Sequence, residues 1–182
     1  MRKVNAILTG AIMILFLIHM VAGILILLGW MAGGAVILSW ISHLMEGLIA
    51  VHAVIGVKLT ADSLLACKKA GVSYFKENKV FWARRISGFL IMVLIFFHIF
   101  AFTGVSADHY RLPNFDLFKL ITQILLVLSI AFHIITNTKP LLIACGIKKL
   151  KPKVNDIVFW ASILLLFMAV AFIIYYIRWS AI

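Results

Sequence analysis

The sequence predicts an all-α integral membrane protein, a single transmembrane domain over residues 1–182 built as a bundle of five helices. Hydrophobic residues make up 65% of the chain and charged residues 13%. With a mean hydropathy of +1.15, this lies outside the make-up of soluble domains. The apolar residues are gathered into five runs, each suited to the ~20 residues a spanning helix needs. Spans and short connections use almost the whole chain. No water-soluble domain large enough for a nucleotide or a flavin fits beside them, so such chemistry belongs to a partner.

The first span, Ala6 to Trp30, follows Arg2 and Lys3. Its apolar stretch is longer than the core of a secretory signal, so it is read as retained. A Gly-rich turn from Met31 to Ala35 leads into the second span, Val36 to Leu59, which holds His43, Glu46 and His52. The third, Trp82 to Phe102, opens with Arg84 and Arg85, passes Ser87 and Gly88, and is then apolar except for His98. The fourth runs from Leu117 to Thr136 with His133, and the fifth from Val158 to Ile177 without a histidine. Pro113, Pro140 and Pro152 are placed in connections. There is no Gly-rich phosphate loop, no hydrolase constellation and no internal repeat.

The positive charges orient the bundle. The N-terminus and the connections Lys58 to Arg85 and Lys139 to Lys153 hold fourteen of the seventeen Lys and Arg residues, against Arg111, Lys119 and Arg178 on the other face. The positive-inside rule therefore predicts a cytoplasmic N-terminus and a multi-pass protein of the inner, cytoplasmic membrane. The net charge of +11 is this topological signal together with attraction to anionic membrane lipid. An acidic partner subunit would dock on the same face. No nucleic-acid partner is expected.

An imidazole in hydrocarbon needs a reason, because ionisable residues there mark ion paths, proton relays or cofactors. His52 precedes Lys58 by six residues and His133 precedes Lys139 by six, which places both roughly 9 Å from the basic end at 1.5 Å per residue. His98 follows Arg85 by thirteen residues and His19 follows Lys3 by sixteen, roughly 20 to 24 Å from that end. Two pairs at two depths are what two stacked haems of the b type require, each iron taking one imidazole from each of two helices. The alternative for any one histidine is a hydrogen-bonding strut between helices. Gly23 and Gly56 each lie four residues after a histidine of their span, on the same helix face. There they open space either for a porphyrin or for ordinary close helix packing.

The segments Arg85-Ile86-Ser87-Gly88 with His98 ten residues on, His52-Ala53-Val54-Ile55-Gly56, and His133 before Asn137 and Cys145-Gly146-Ile147 carry a family likeness. In them the chain resembles the membrane-anchor cytochrome b subunit of succinate dehydrogenase and fumarate reductase, in its five-helix, two-haem form. The likeness covers nearly the whole chain. It implies that His19 and His98 bind an outer haem and His52 and His133 an inner one. It also implies a quinone, menaquinone by expectation, as substrate, with iron-sulfur and flavoprotein subunits as cytoplasmic partners. The chain departs from the family pattern at Asn137, followed by Thr138 rather than Gly, and in its short outer connections.

Arg85 is placed to pair with a propionate of the inner haem; the alternative is a snorkelling anchor like Arg84. Ser87 either bonds back to the preceding turn or reaches the same propionate. Glu46, the one carboxylate deep in a span, lies roughly 18 Å from the basic end. At that depth it is either the proton acceptor for quinol oxidation or a protonated strut bonded to a neighbouring helix, with His43 one turn further out as its route to water or its partner. His109 and Asp108 read as solvated loop residues. Cys67 and Cys145 lie in segments of a reducing compartment, so no disulfide is expected, and two separated cysteines make no iron-sulfur site.

The predicted function is an electron conduit of a respiratory chain. Electrons pass between a quinone site near the outer face and cytoplasmic subunits that interconvert succinate and fumarate, the anchor itself taking no part in the dicarboxylate step. Two alternatives stay open: a standalone cytochrome b serving another redox partner, and a proton-coupled transporter using the histidines and Glu46 as a relay.

Overall fold

The computed structural model describes residues 1–72, 78–103, 115–147 and 150–180. Among these residues the chain forms five helices and no strand: α1 Arg2–Leu27, α2 Val36–Lys69, α3 Lys79–Phe102, α4 Leu117–Ala144 and α5 Leu150–Ser180. Each is long and apolar enough to cross a bilayer, the architecture of a multi-pass membrane protein.

The helices start and stop where local chemistry says they should. The Asn78 side chain accepts from the Phe81 N–H at 3.2 Å and the Asp116 side chain from the Lys119 N–H at 2.8 Å, so α3 and α4 each open on an N-cap. At the other end of α2, Gly71 (φ 67) bonds back to Lys68 and Val72 to Cys67. The end of α4 repeats the pattern, with Gly146 (φ 79) bonded to Ile143 and Ile147 to Leu142. Both are Schellman turns, which need a residue that tolerates the left-handed region at the position after the cap.

Several boundaries differ from the sequence reading. α1 begins at Arg2 and stops at Leu27, before Trp30. α2 runs ten residues beyond Leu59 and α4 eight beyond Thr136, and α5 begins at Leu150 rather than Val158. The reason is that hydrophobicity sets where a helix enters lipid, whereas the caps set where it ends. The 34 residues of α2 extend about 51 Å, well beyond a hydrocarbon layer of ~30 Å. Much of the basic surface assigned to connections is therefore helical, including Lys58, Lys68, Lys69, Arg84, Arg85 and Lys139. Two prolines expected in connections are helical as well. Pro140 lies inside α4, and Pro152 is the third residue of α5, where the missing N–H has no helical partner to lose. Pro113, His109 and Asp108 lie outside the described residues.

The packing is uneven. Close contacts join α1 to α2, α3 to α4, α4 to α5 and α5 to α1, with a slighter contact between α1 and α4. α2 does not pack closely on α3 or α4, nor α1 on α3. The buried core, Met20, Leu27, Phe115, Val127, Leu165, Ala171 and Phe172, sits between α1, α4 and α5, with the Phe115 and Phe172 rings stacked at 6.4 Å. At the end opposite Lys68, Lys69 and Lys139, Arg178 donates to the Leu28 carbonyl at 2.8 Å and ties α5 to the end of α1. Large apolar side chains elsewhere face outward, Phe96 and Phe100 each 79% exposed, as a protein solvated by lipid requires.

Candidate functional site

The four histidines singled out in the spans share one local arrangement. His19 Nδ1 lies 3.0 Å from Ser42 Oγ and His52 Nδ1 3.3 Å from Thr9 Oγ1. His133 Nδ1 lies 2.9 Å from Ser87 Oγ and His98 Nδ1 2.7 Å from Gln123 Oε1. In every case the partner comes from another helix: α2 holds the α1 histidine and α1 the α2 histidine, while α4 holds the α3 histidine and α3 the α4 histidine.

Hydrogen counting fixes the tautomers. A serine or threonine hydroxyl has one hydrogen to give. Ser42 gives it to the Leu38 carbonyl at 2.9 Å, Thr9 to Asn5 at 2.8 Å and Ser87 to Arg84 at 3.1 Å. Each hydroxyl oxygen therefore accepts from the histidine, and Gln123 accepts through its carbonyl. With the hydroxyls and the amide so directed, all four rings would donate from Nδ1 and keep a lone pair on Nε2. An anchored Nδ1–H is the usual companion of metal ligation through Nε2, because it fixes ring orientation and raises basicity.

One pair of rings meets across the two helix pairs, and a second pair lies within electrostatic reach. His19 and His98 have centroids 5.9 Å apart with an interplanar angle of 72°. His133 lies within electrostatic reach of His52, and Arg85 of both. The pairs span helices whose backbones do not pack closely, α1 with α3 and α2 with α4. Among the described residues no group of three or more His, Cys, Asp or Glu gathers to hold a metal ion.

Around the second pair, a cation and two glycines stand close to the histidines. The Arg85 guanidinium stands 5.0 Å over the Phe81 ring, and its Nη1 is 3.7 Å from where a Cβ on Gly56 would be. The open face of Gly56 thus receives Arg85. A Cβ on Gly88 would come within 3.4 Å of His133 Cε1. Ser87, 3% exposed, bonds back to the preceding turn as one reading held, and also anchors His133. The donor set fits a haem: paired Nε2 lone pairs, with a cation beside the second pair for propionates.

The remaining candidates are more dispersed. Glu46 lies within electrostatic reach of His19. His43 is exposed and bonded within its own helix, to the Ser39 carbonyl at 2.7 Å. The open face of Gly23 meets Met168 of α5, 3.7 Å from a Cβ built there. Cys67 and Cys145 are free thiols. Sequence reasoning missed the anchors Thr9, Ser42 and Gln123. Gln123 carried a signal, an amide in an otherwise apolar stretch, and it is 0% exposed. The hydroxyls carried none, since serine and threonine in helices routinely bond to their own preceding turn. The chain matches no protein-family model, no curated protein and no solved structure, so any functional reading stands on these residues.

Proposed function

We propose that the chain is a dihaem cytochrome b that anchors a succinate dehydrogenase or quinol:fumarate reductase type complex in the cytoplasmic membrane, N-terminus inside. The observation that supports it most is the set of four Nδ1-anchored histidines, presenting Nε2 in two cross-helix pairs. His19 with His98 would hold one haem and His52 with His133 the other. When bound, the two haems supply one-electron carriage between the faces of the membrane.

The chain's own residues do the rest. Ser42, Gln123, Thr9 and Ser87 hold the imidazoles in register, Arg85 offers its guanidinium to propionates, and the apolar walls of α1 to α4 keep water from the ligands. Glu46, within electrostatic reach of His19, accepts one of the two protons released when a quinol, menaquinol by this reading, is oxidised near the outer pair; the other passes to water on the outer face, and the two electrons go one at a time to the haems. The dicarboxylate chemistry belongs to flavoprotein and iron-sulfur subunits on the basic face.

The test is a reduced-minus-oxidised optical spectrum of purified protein with haem counted per chain. Two bis-histidine b haems are expected, His98→Ala removing one and His52→Ala the other. A chain without haem sinks the proposal and favours the proton-relay transporter, and haem without flavin and iron-sulfur subunits in gentle purification favours the standalone cytochrome.

A further inference from the structure

The basic end of the bundle holds a cavity of about 1020 Å³ between the starts of α1, α3 and α5 and the last turns of α4. Arg2, Lys3, Arg84 and Lys139 line it, and no carboxylate does. Among the described residues, none of the four makes an ion pair. Four cations around one space repel one another unless an anion enters. Arg84 Nε donates to the Val80 carbonyl at 3.2 Å, which directs the two terminal nitrogens of its fork to whatever binds, the geometry suited to phosphate.

The wall below the cations is apolar. Ile135, one turn into the membrane from Lys139, lines the same cavity and is 51% exposed, a surface that hydrocarbon covers well and a hydrophilic acidic segment does not. Pro140 contributes to the opening. It has no N–H for the Thr136 carbonyl one turn back, and both residues line the cavity.

We propose that this cavity is a binding site for one anionic phospholipid. The phosphate sits among Arg2, Lys3, Arg84 and Lys139, and an acyl chain descends past Ile135 into the bilayer. Basic pockets between transmembrane helices are where such headgroups lodge. The proposal does not depend on the haem reading, since none of these residues belongs to a histidine pair.

The experiment is native mass spectrometry of the delipidated full-length chain in detergent, titrated with phosphatidylglycerol and, separately, with phosphatidylcholine. One phosphatidylglycerol per chain is expected to persist where phosphatidylcholine does not. The double variant Arg84→Gln/Lys139→Gln loses about thirtyfold in affinity, the effect of two cations at a lipid headgroup. Lys68→Gln/Lys69→Gln, at the same end but outside the cavity, keeps it. Ile135→Phe, with every cation in place, weakens lipid binding by narrowing the acyl path, and decides the matter if the double variant does not fold. Equal binding of phosphatidylcholine, or phosphatidylglycerol binding unmoved by both cavity variants, overturns the proposal. So does displacement by inorganic phosphate at equal concentration, or by poly-glutamate, which would assign the cations to a free anion or to an acidic protein.

Discussion

If the dihaem proposal holds, replacing Gln123 by Leu should release the haem assigned to His98 while leaving the one assigned to His133 in place. The two side chains are close in volume, and Gln123 is wholly buried, so packing changes little. What goes is the acceptor 2.7 Å from His98 Nδ1. The other bond of the amide, from Nε2 to Thr122 Oγ1, is long at 3.4 Å and contributes little. His98 is left with a buried N–H that has no acceptor, a defect of about 1–3 kcal/mol. Removal of such an outer partner typically weakens metal binding 10–100-fold, which is the same energy to within the spread. Haem retention against apomyoglobin as a competing acceptor measures it, with the two spectral components assigned from His98→Ala and His52→Ala. Gln123→Glu, which keeps an acceptor oxygen, should retain the haem and lower its midpoint potential, because a charged acceptor makes the imidazole a stronger donor. Loss of the His52–His133 component, loss of both together, or no change in either would refute the reasoning.

Ser87→Ala removes the acceptor 2.9 Å from His133 and should loosen the other haem by about tenfold, the low end for an outer-shell partner, with far-ultraviolet helicity unchanged. Gly88→Val should eject that same haem outright in a haem count, since even a bare Cβ reaches 3.4 Å from His133 Cε1 and a branched side chain has to displace the ring. Glu46→Gln should leave both haems bound but slow their reduction by a quinol analogue about a hundredfold, the lower range of general-base catalysis; stopped-flow absorbance reads it, and an unchanged rate would reduce Glu46 to a strut.

What the sequence made legible is what hydrocarbon enforces. Lipid tolerates neither polar side chains nor open backbone without compensation, so five runs and four misplaced imidazoles stand out of the sequence unaided, and counting along helices of fixed rise puts the imidazoles at two depths. The extensions of α2 and α4 were less visible, because beyond the lipid surface a helix no longer needs an apolar pattern. Their true ends were nevertheless written in Gly71 and Gly146, each just past a last turn. Pro140 misled for a related reason. A proline is taken as the end of a helix, yet near the end of a span α4 continues through it, at the loss of one hydrogen bond. The anchors of the histidines were hardest to see. Thr9 and Ser42 mean nothing alone, and acquire a role only when α1 and α2 are laid side by side.

The uneven packing gives the haem reading a mechanical consequence. α5 has no histidine, yet with α1 and α4 it encloses the buried core, so it is the strut on which the others hang. α2 buries only Met45 and packs closely on α1 alone, although it carries one ligand of the second pair. On the haem proposal, a group held by His52 and His133 would link α2 to α4, and a ligand that binds only the folded arrangement stabilises it. Local opening should therefore differ between helices. Hydrogen exchange of protein stripped of haem should show α2 opening readily while α5 and the α4 turns around Val127 stay protected, and reconstitution should slow exchange in α2 far more than in α5. Protection of α2 that is equal with and without haem would mean that lipid and α1 hold it by themselves, and that the gap between the helix pairs serves some other occupant.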